Sequence, residues 1–166
     1  ALGYQAGNKM GVNSTAIGYQ SALSTNNAGF VAVGASAGSG LGANAVAVGR
    51  SAGHDLNEQY AIAIGYQAGY EGGGISSAWL GHAAGHSSNG ATRSIGLGYQ
   101  AGKSTTGDDC IYLGNSAGQS NTSDDYFYIA NAAPSSNGTL IKGDMTNKRV
   151  AVGKADITLD STLHVG

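Results

Sequence analysis

With a single cysteine, Cys110, the chain can form neither an internal disulfide nor a cysteine-based zinc site. That thiol reads as a small buried filler, with a reactive thiol as the alternative. Charge is scarce as well. Eight Lys and Arg face 10 Asp and Glu, a formal net charge of −2 that leaves no electrostatic footprint for nucleic acid or an anionic membrane surface. Apolar runs are short: none approaches the ~20 residues of a spanning helix, and no basic segment with an apolar stretch opens the chain as a signal peptide would. Membrane insertion of this segment is not expected. Long helices are not expected either, because 29 glycines interrupt almost every stretch and each costs about 0.5–1 kcal/mol relative to alanine in a helix. The opening "ALGYQAG" lacks Met and lies inside a motif that recurs, so the chain reads as a piece of a longer polypeptide.

What the sequence has is a repeat. One glycine recurs at Gly3, Gly18, Gly34, Gly49, Gly65, Gly81, Gly98 and Gly114, and a ninth copy puts Ala130 in that slot, with steps of 15 to 17 residues. A fixed period means one structural unit stacked on itself. The residue before the slot is always large and aliphatic: Leu2, Ile17, Val33, Val48, Ile64, Leu80, Leu97, Leu113 and Ile129. Two places earlier stand Val31, Val46, Ile62, Ile95, Ile111 and Phe127, with Thr15 and Ala78 as exceptions. Apolar residues spaced by two describe a β-strand buried on one face.

Between these columns lie Ala1, Ala16, Ala32, Ala47 and Ala63, which the same alternation sends to the opposite face. A row of methyl groups there suits close approach of another surface, and contact with identical chains in an obligate oligomer of closed symmetry is expected. In the second half Trp79, Gly96, Tyr112 and Tyr128 take that position, reading as packing in a widened bundle or as a receptor platform. After the glycine come a variable pair, Ala or Ser, and usually Gly, read as a second short strand, then polar residues suited to bends.

A period of 15 to 16 residues is too short for a propeller blade or helix pair but matches one turn of a parallel β-solenoid, or β-roll. The expected fold is therefore all-β: about nine rungs at ~4.8 Å, a rod of about 40 Å. Residues 1–133 form the repeat domain. Residues 134–166 begin with Pro134, where the period fails, and "TLIKGDMTNKRVAVG" alternates around Thr146-Asn147-Lys148 as a β-hairpin would. This segment is expected to cap the last rung, whose edge would otherwise be open, and to lead into a downstream region.

"AIG", "VAVG" and "IAIG", each followed by small residues at this period, resemble the head repeats of trimeric autotransporter adhesins, which also occur in bacteriophage tail fibres. The resemblance covers residues 1 to about 133. It implies a left-handed parallel β-roll, a homotrimer of this chain with two identical copies, and a surface that attaches to a host glycan or protein receptor. The closing "RVAVG…STLHVG" looks like the segment before the intramolecular chaperone domain of phage fibres. Together these imply a non-enzymatic segment of a viral attachment fibre, in the virion tail and extracellular. The alternative is a bacterial adhesin head on the cell surface; a polysaccharide-degrading tail spike and an ice-binding solenoid are lesser ones.

Chemistry-bearing motifs are few, and no cofactor or catalytic residue is expected. Gly40–Ala45 and Gly96–Ala101 match a loose dinucleotide fingerprint, and "LGYQAGKS" from Leu97 to Ser104 nearly forms a P-loop, but neither opens the helix that phosphate binding needs. His82 and His86 are four apart on a strand and bend rather than on one helix face, so a metalloprotease-like pair is not expected; His54 and His164 read as lone surface residues. Asp108, Asp109, Asp124 and Asp125 fall at matching places in consecutive rungs, where crowded carboxylates would invite a hard cation such as Ca²⁺. The favoured reading is instead a solvated turn in which Arg93 stacks against Asp109. Tyr-Gln recurs at Tyr4, Tyr19, Tyr66 and Tyr99 while other copies vary the slot, so these tyrosines read as exposed. They join Trp79, Tyr112 and Tyr128 as candidate receptor contacts.

Overall fold

The computed structural model describes residues 1–133 and 138–153. Eight of the repeats become strands: β1 (Thr15–Ile17), β2 (Val31–Val33), β3 (Val46–Val48), β4 (Ile62–Ile64), β5 (Ala78–Leu80), β6 (Ile95–Leu97), β7 (Ile111–Leu113) and β8 (Tyr126–Ala130). Each pairs in parallel with the next in the register of the repeat, so that Ala16 lies beside Ala32, Ala47 beside Ala63, and Ala63 beside Trp79. The result is a β-solenoid of about seven turns. The first repeat forms no strand but joins the stack through a bridge between Leu2 and Ile17 and through bonds such as that from the Gln20 N–H to the Tyr4 carbonyl at 2.8 Å. β9 (Thr139–Asp144) runs antiparallel to β8, and β10 (Arg149–Val152) antiparallel to β9. Asp144 fixes the bend between them, its carboxylate accepting from the Asn147 backbone N–H at 2.9 Å and side-chain amide at 2.7 Å. These bonds hold its carboxyl below the usual carboxylate range. Residues 154–166, including "DITLDSTLHVG" and His164, lie outside the described residues, as does Pro134.

The slot glycine is required by the stacking of backbone on backbone. Gly65 has φ +131°, and a Cβ built there would stand 2.5 Å from the carbonyl oxygen of Gly81 one rung on. The same overlap recurs up the column, so no larger residue fits between rungs in this conformation. After it the chain does not form the expected second strand. It turns: the Ala68 N–H donates back to the Gly65 carbonyl at 3.3 Å, and Gln67 adopts φ +53°. Rung-to-rung hydrogen bonds nevertheless continue through the turn, from the Gln67 N–H to the Arg50 carbonyl and from the Gly69 N–H to the Ala84 carbonyl. The ladder therefore supports the corner without a second sheet.

Which face is inside is the reverse of the sequence expectation. Ala16, Ala32, Ala47 and Ala63 are fully buried in their own chain, while Ile17 and Ile64 on one side of that column are 41% and 39% exposed and Ile62 and Ile95 on the other are 38% and 44% exposed. The reason is the width of the rung. The turn returns so close to the sheet that a Cβ on Gly38 would lie 2.7 Å from the Ala32 Cβ, and one on Gly53 would lie 2.9 Å from that of Ala47. Methyl groups fill that gap and branched side chains do not.

Other inward positions complete the core. Phe30, Leu41 and Leu56 are fully buried, and buried hydroxyls satisfy carbonyls of adjacent rungs, as Thr25 Oγ1 does for Leu41 at 2.8 Å. Trp79, Tyr112 and Tyr128 continue the alanine column inward, so they neither face a neighbour nor form a platform. Glycines make the room. The Trp79 indole lies where Cβ atoms on Gly85, Gly96 and Gly102 would be, and Gly73 opens space between Trp79 and Leu56. Tyr112 stacks on Trp79 with centroids 6.5 Å apart, and Tyr128 on Tyr112 at 5.9 Å. Their hydroxyls share a buried network: Tyr112 meets Thr105 Oγ1 at 2.7 Å, Asn121 donates to Tyr112 at 3.1 Å, and Tyr128 donates to Asn121 at 3.1 Å. Burial pushes both phenols well above the ordinary tyrosine range, and likewise raises the Cys110 thiol, which is fully enclosed.

Candidate functional site

Three surfaces carry the residues with chemistry. The first is the outer side of the sheet. Because alanine occupies the interior, the flanking columns from Ile17 to Ile129 and from Val31 to Phe127 are left facing outward, half-buried or exposed. The strands are only three residues long for most of the stack, so each rung contributes two apolar side chains to this surface. The in-register parallel ladder then merges them into one band along the solenoid. Soluble monomers rarely expose a contiguous apolar patch larger than a few hundred Å².

The second surface is the corner one residue after each slot glycine. Tyr4, Tyr19, Tyr66 and Tyr99 are exposed there, as expected of a position the rung tolerates in many forms. Tyr4 and Tyr19 stack with centroids 5.6 Å apart. Further along, Tyr66 and Tyr99 each meet His82 edge-on at 5.0 Å, and the Arg50 guanidinium lies over the Tyr66 ring at 4.5 Å. The structure thus adds Arg50 and His82 to a ladder the sequence suggested only for the tyrosines. Their 16-residue spacing from Tyr66 was the available signal. No Asp or Glu occupies this column or the next one, where Gln5, Gln20, Gln67 and Gln100 recur.

A neighbouring column forms a second aromatic stack. His54, Tyr70 and His86 lie nearly parallel, with centroids 5.0 and 5.2 Å apart. His82 and His86 therefore belong to different ladders, and His54 is not isolated. Burial, helped by the charge of Lys103, lowers the His86 pKa, and its Nδ1 pairs with Ser87 Oγ at 2.8 Å.

The acidic rungs form the third. Arg93 clasps Asp109 through two hydrogen bonds of 2.6 and 2.5 Å, which raises the guanidinium pKa and lowers that of the carboxyl. Asp108 accepts from the Thr92 N–H at 2.8 Å and Asp124 from the Asp108 N–H at 2.9 Å, while Asp125 accepts from Thr146 at 2.7 Å. Each carboxylate has its own partner along the stack. Among the described residues no group of three or more His, Cys, Asp and Glu side chains is placed to hold a metal ion. Also among the described residues, no helix is long and apolar enough to cross a membrane.

No family model, curated protein or solved structure matches the chain.

Proposed function

We propose that the chain is a non-enzymatic, structural and receptor-binding segment of a trimeric attachment fibre of the phage tail type. The observation that carries this reading is the outward band of branched aliphatic residues on the sheet. Three copies around one axis would bury their bands against one another at equal heights, so that Ile64 meets the Ile64 residues of its copies. Such a closed arrangement satisfies every band at once and leaves no apolar surface to propagate. The resemblance of the repeats to adhesin heads supports the same arrangement and, with it, a left-handed path of the chain. β9 and β10 then serve as the cap that ends the parallel ladder at β8, since an unpaired strand edge recruits other chains.

Burying the bands leaves the Tyr4–Tyr19 and Arg50–Tyr66–His82–Tyr99 ladders as the surface offered outward, three times around the fibre. Weak contacts by each copy sum to avidity when geometry lets them engage together. The ligand class this surface suits is a host glycan or protein whose groups accept from tyrosine, histidine, arginine and glutamine donors. Light scattering tests the assembly: three times 16.4 kDa is expected, and Ile64→Asp should give single chains. A monodisperse wild-type monomer would overturn the reading. Binding of labelled fibre to host cells tests attachment, with Tyr66→Ala and Tyr99→Ala expected to lose binding while the oligomer persists.

A further inference from the structure

The rung from Gly81 to Gly98 is 17 residues long, one more than those on either side. The surplus is taken up at Asn89 and Gly90, which are exposed between the buried Ser88 and Ala91. Ser88 is pinned inward by its hydroxyl, which donates to the Gly85 carbonyl at 2.6 Å. Gly90 has φ +88°, and nothing lies within 4 Å of where its Cβ would be. The Asn89 backbone stays beside Gly73 of the preceding rung. Beyond that the bulge turns outward: among the described residues the Asn89 carboxamide has no hydrogen-bond partner.

Eight of the other described asparagines are constrained. Asn27, Asn57, Asn121 and Asn147 donate from their carboxamides, and Asn8, Asn13, Asn44 and Asn115 precede residues with a side chain that hinders approach to the following nitrogen. Among the described residues Asn89 is the only asparagine followed by glycine. We propose that Asn89 is a site of self-catalysed modification in the folded protein, where the Gly90 nitrogen converts the side-chain amide to an acid. The Gly90 backbone nitrogen loses its proton to solvent base and attacks Asn89 Cγ. A carbon–nitrogen bond forms, the side-chain carbon–nitrogen bond breaks, and ammonia leaves. Water then opens the resulting five-membered imide at either carbonyl, giving aspartate or an isoaspartyl linkage, with no oxidation or reduction.

The fold makes this reaction compatible with the native state. An exposed backbone N–H beside an unpartnered carboxamide can act as nucleophile, a glycine offers no Cβ to obstruct ring closure, and Asn89 and Gly90 hold the one residue by which this rung exceeds its neighbours, where an added backbone carbon is most readily taken up. The net charge moves from −2 to −3 without opening a rung.

The folded protein, held at mildly alkaline pH and sampled over time, is digested with trypsin and the fragments are mapped by mass. The fragment Ser51–Arg93 should gain about one dalton at Asn89 at least an order of magnitude faster than Asn13 or Asn115 gains it, while circular dichroism stays native. In Asn89→Gln that fragment should stay unmodified. Equal rates at Asn89 and Asn13, or continued modification of the fragment in Asn89→Gln, would overturn the proposal.

Discussion

Replacing Trp79 with alanine tests the account of the core most directly, because the same residue would be dispensable if it lay at the surface. The indole is fully buried, bounded by Gly73, Gly85, Gly96 and Gly102, and stacked on Tyr112. Those glycines have no side chains to swing into the space, and their backbone is held by the ladder. The cavity in Trp79→Ala therefore cannot collapse, and the loss should lie toward the upper part of the range of about 3–5 kcal/mol. Gly96→Ala attacks the contact from the other side, placing a methyl 2.6 Å from the indole, and should cost about 1–3 kcal/mol. The double variant removes the ring that the new methyl strikes and restores alanine to the column, although the Ala101 carbonyl, 2.9 Å from the added Cβ, still resists. Its loss should fall short of the sum of the single losses by at least about 1 kcal/mol. Urea denaturation at one fixed protein concentration, followed by circular dichroism, measures all four proteins. Additivity within about 0.5 kcal/mol, or wild-type tryptophan emission typical of exposure to water, would refute this packing. Trp79→Phe should be milder, because the indole N–H has no hydrogen-bond partner to lose.

Gly65→Ala combines a left-handed φ with a carbonyl 2.5 Å from the added methyl, and should destabilise the solenoid by about 2–4 kcal/mol in the same urea assay. A wild-type midpoint would mean that the rungs can part without cost. Alkaline pH should also weaken the fold. Tyr112 and Tyr128 hold their protons to higher pH folded than unfolded, so their contribution is complete below the unfolded value of about 10 and declines as pH rises toward their folded values. The slope can reach about 1.4 kcal/mol per pH unit for each phenol. Urea midpoints between pH 9 and pH 11 should fall, and less steeply in Tyr128→Phe; a flat profile would contradict the burial of these hydroxyls.

The repeat made the parallel solenoid and its register legible, since a residue that returns every 15 to 17 positions must occupy the same place in each turn. It also made Tyr4, Tyr19, Tyr66 and Tyr99 legible as exposed, because a slot that accepts Tyr, Ala, Arg, His and Asn is not packed. The Arg93–Asp109 pair followed from the same alignment. Alternation alone could say only that the strands had two different faces, one of alanine and one of branched aliphatics. Both are apolar, and hydrophobicity favours burying the larger. The tertiary structure decided otherwise through a distance: from Ala16 to Ala63 the turn packs so close to the strand that only methyl groups fit in this column, and the larger Trp79, Tyr112 and Tyr128 enter it further along, where glycines clear space for the Trp79 and Tyr112 rings. Inward direction is thus set by the narrow cross-section of the rung, a quantity that no single position in the sequence encodes, and the larger aliphatic residues are turned out to the surface.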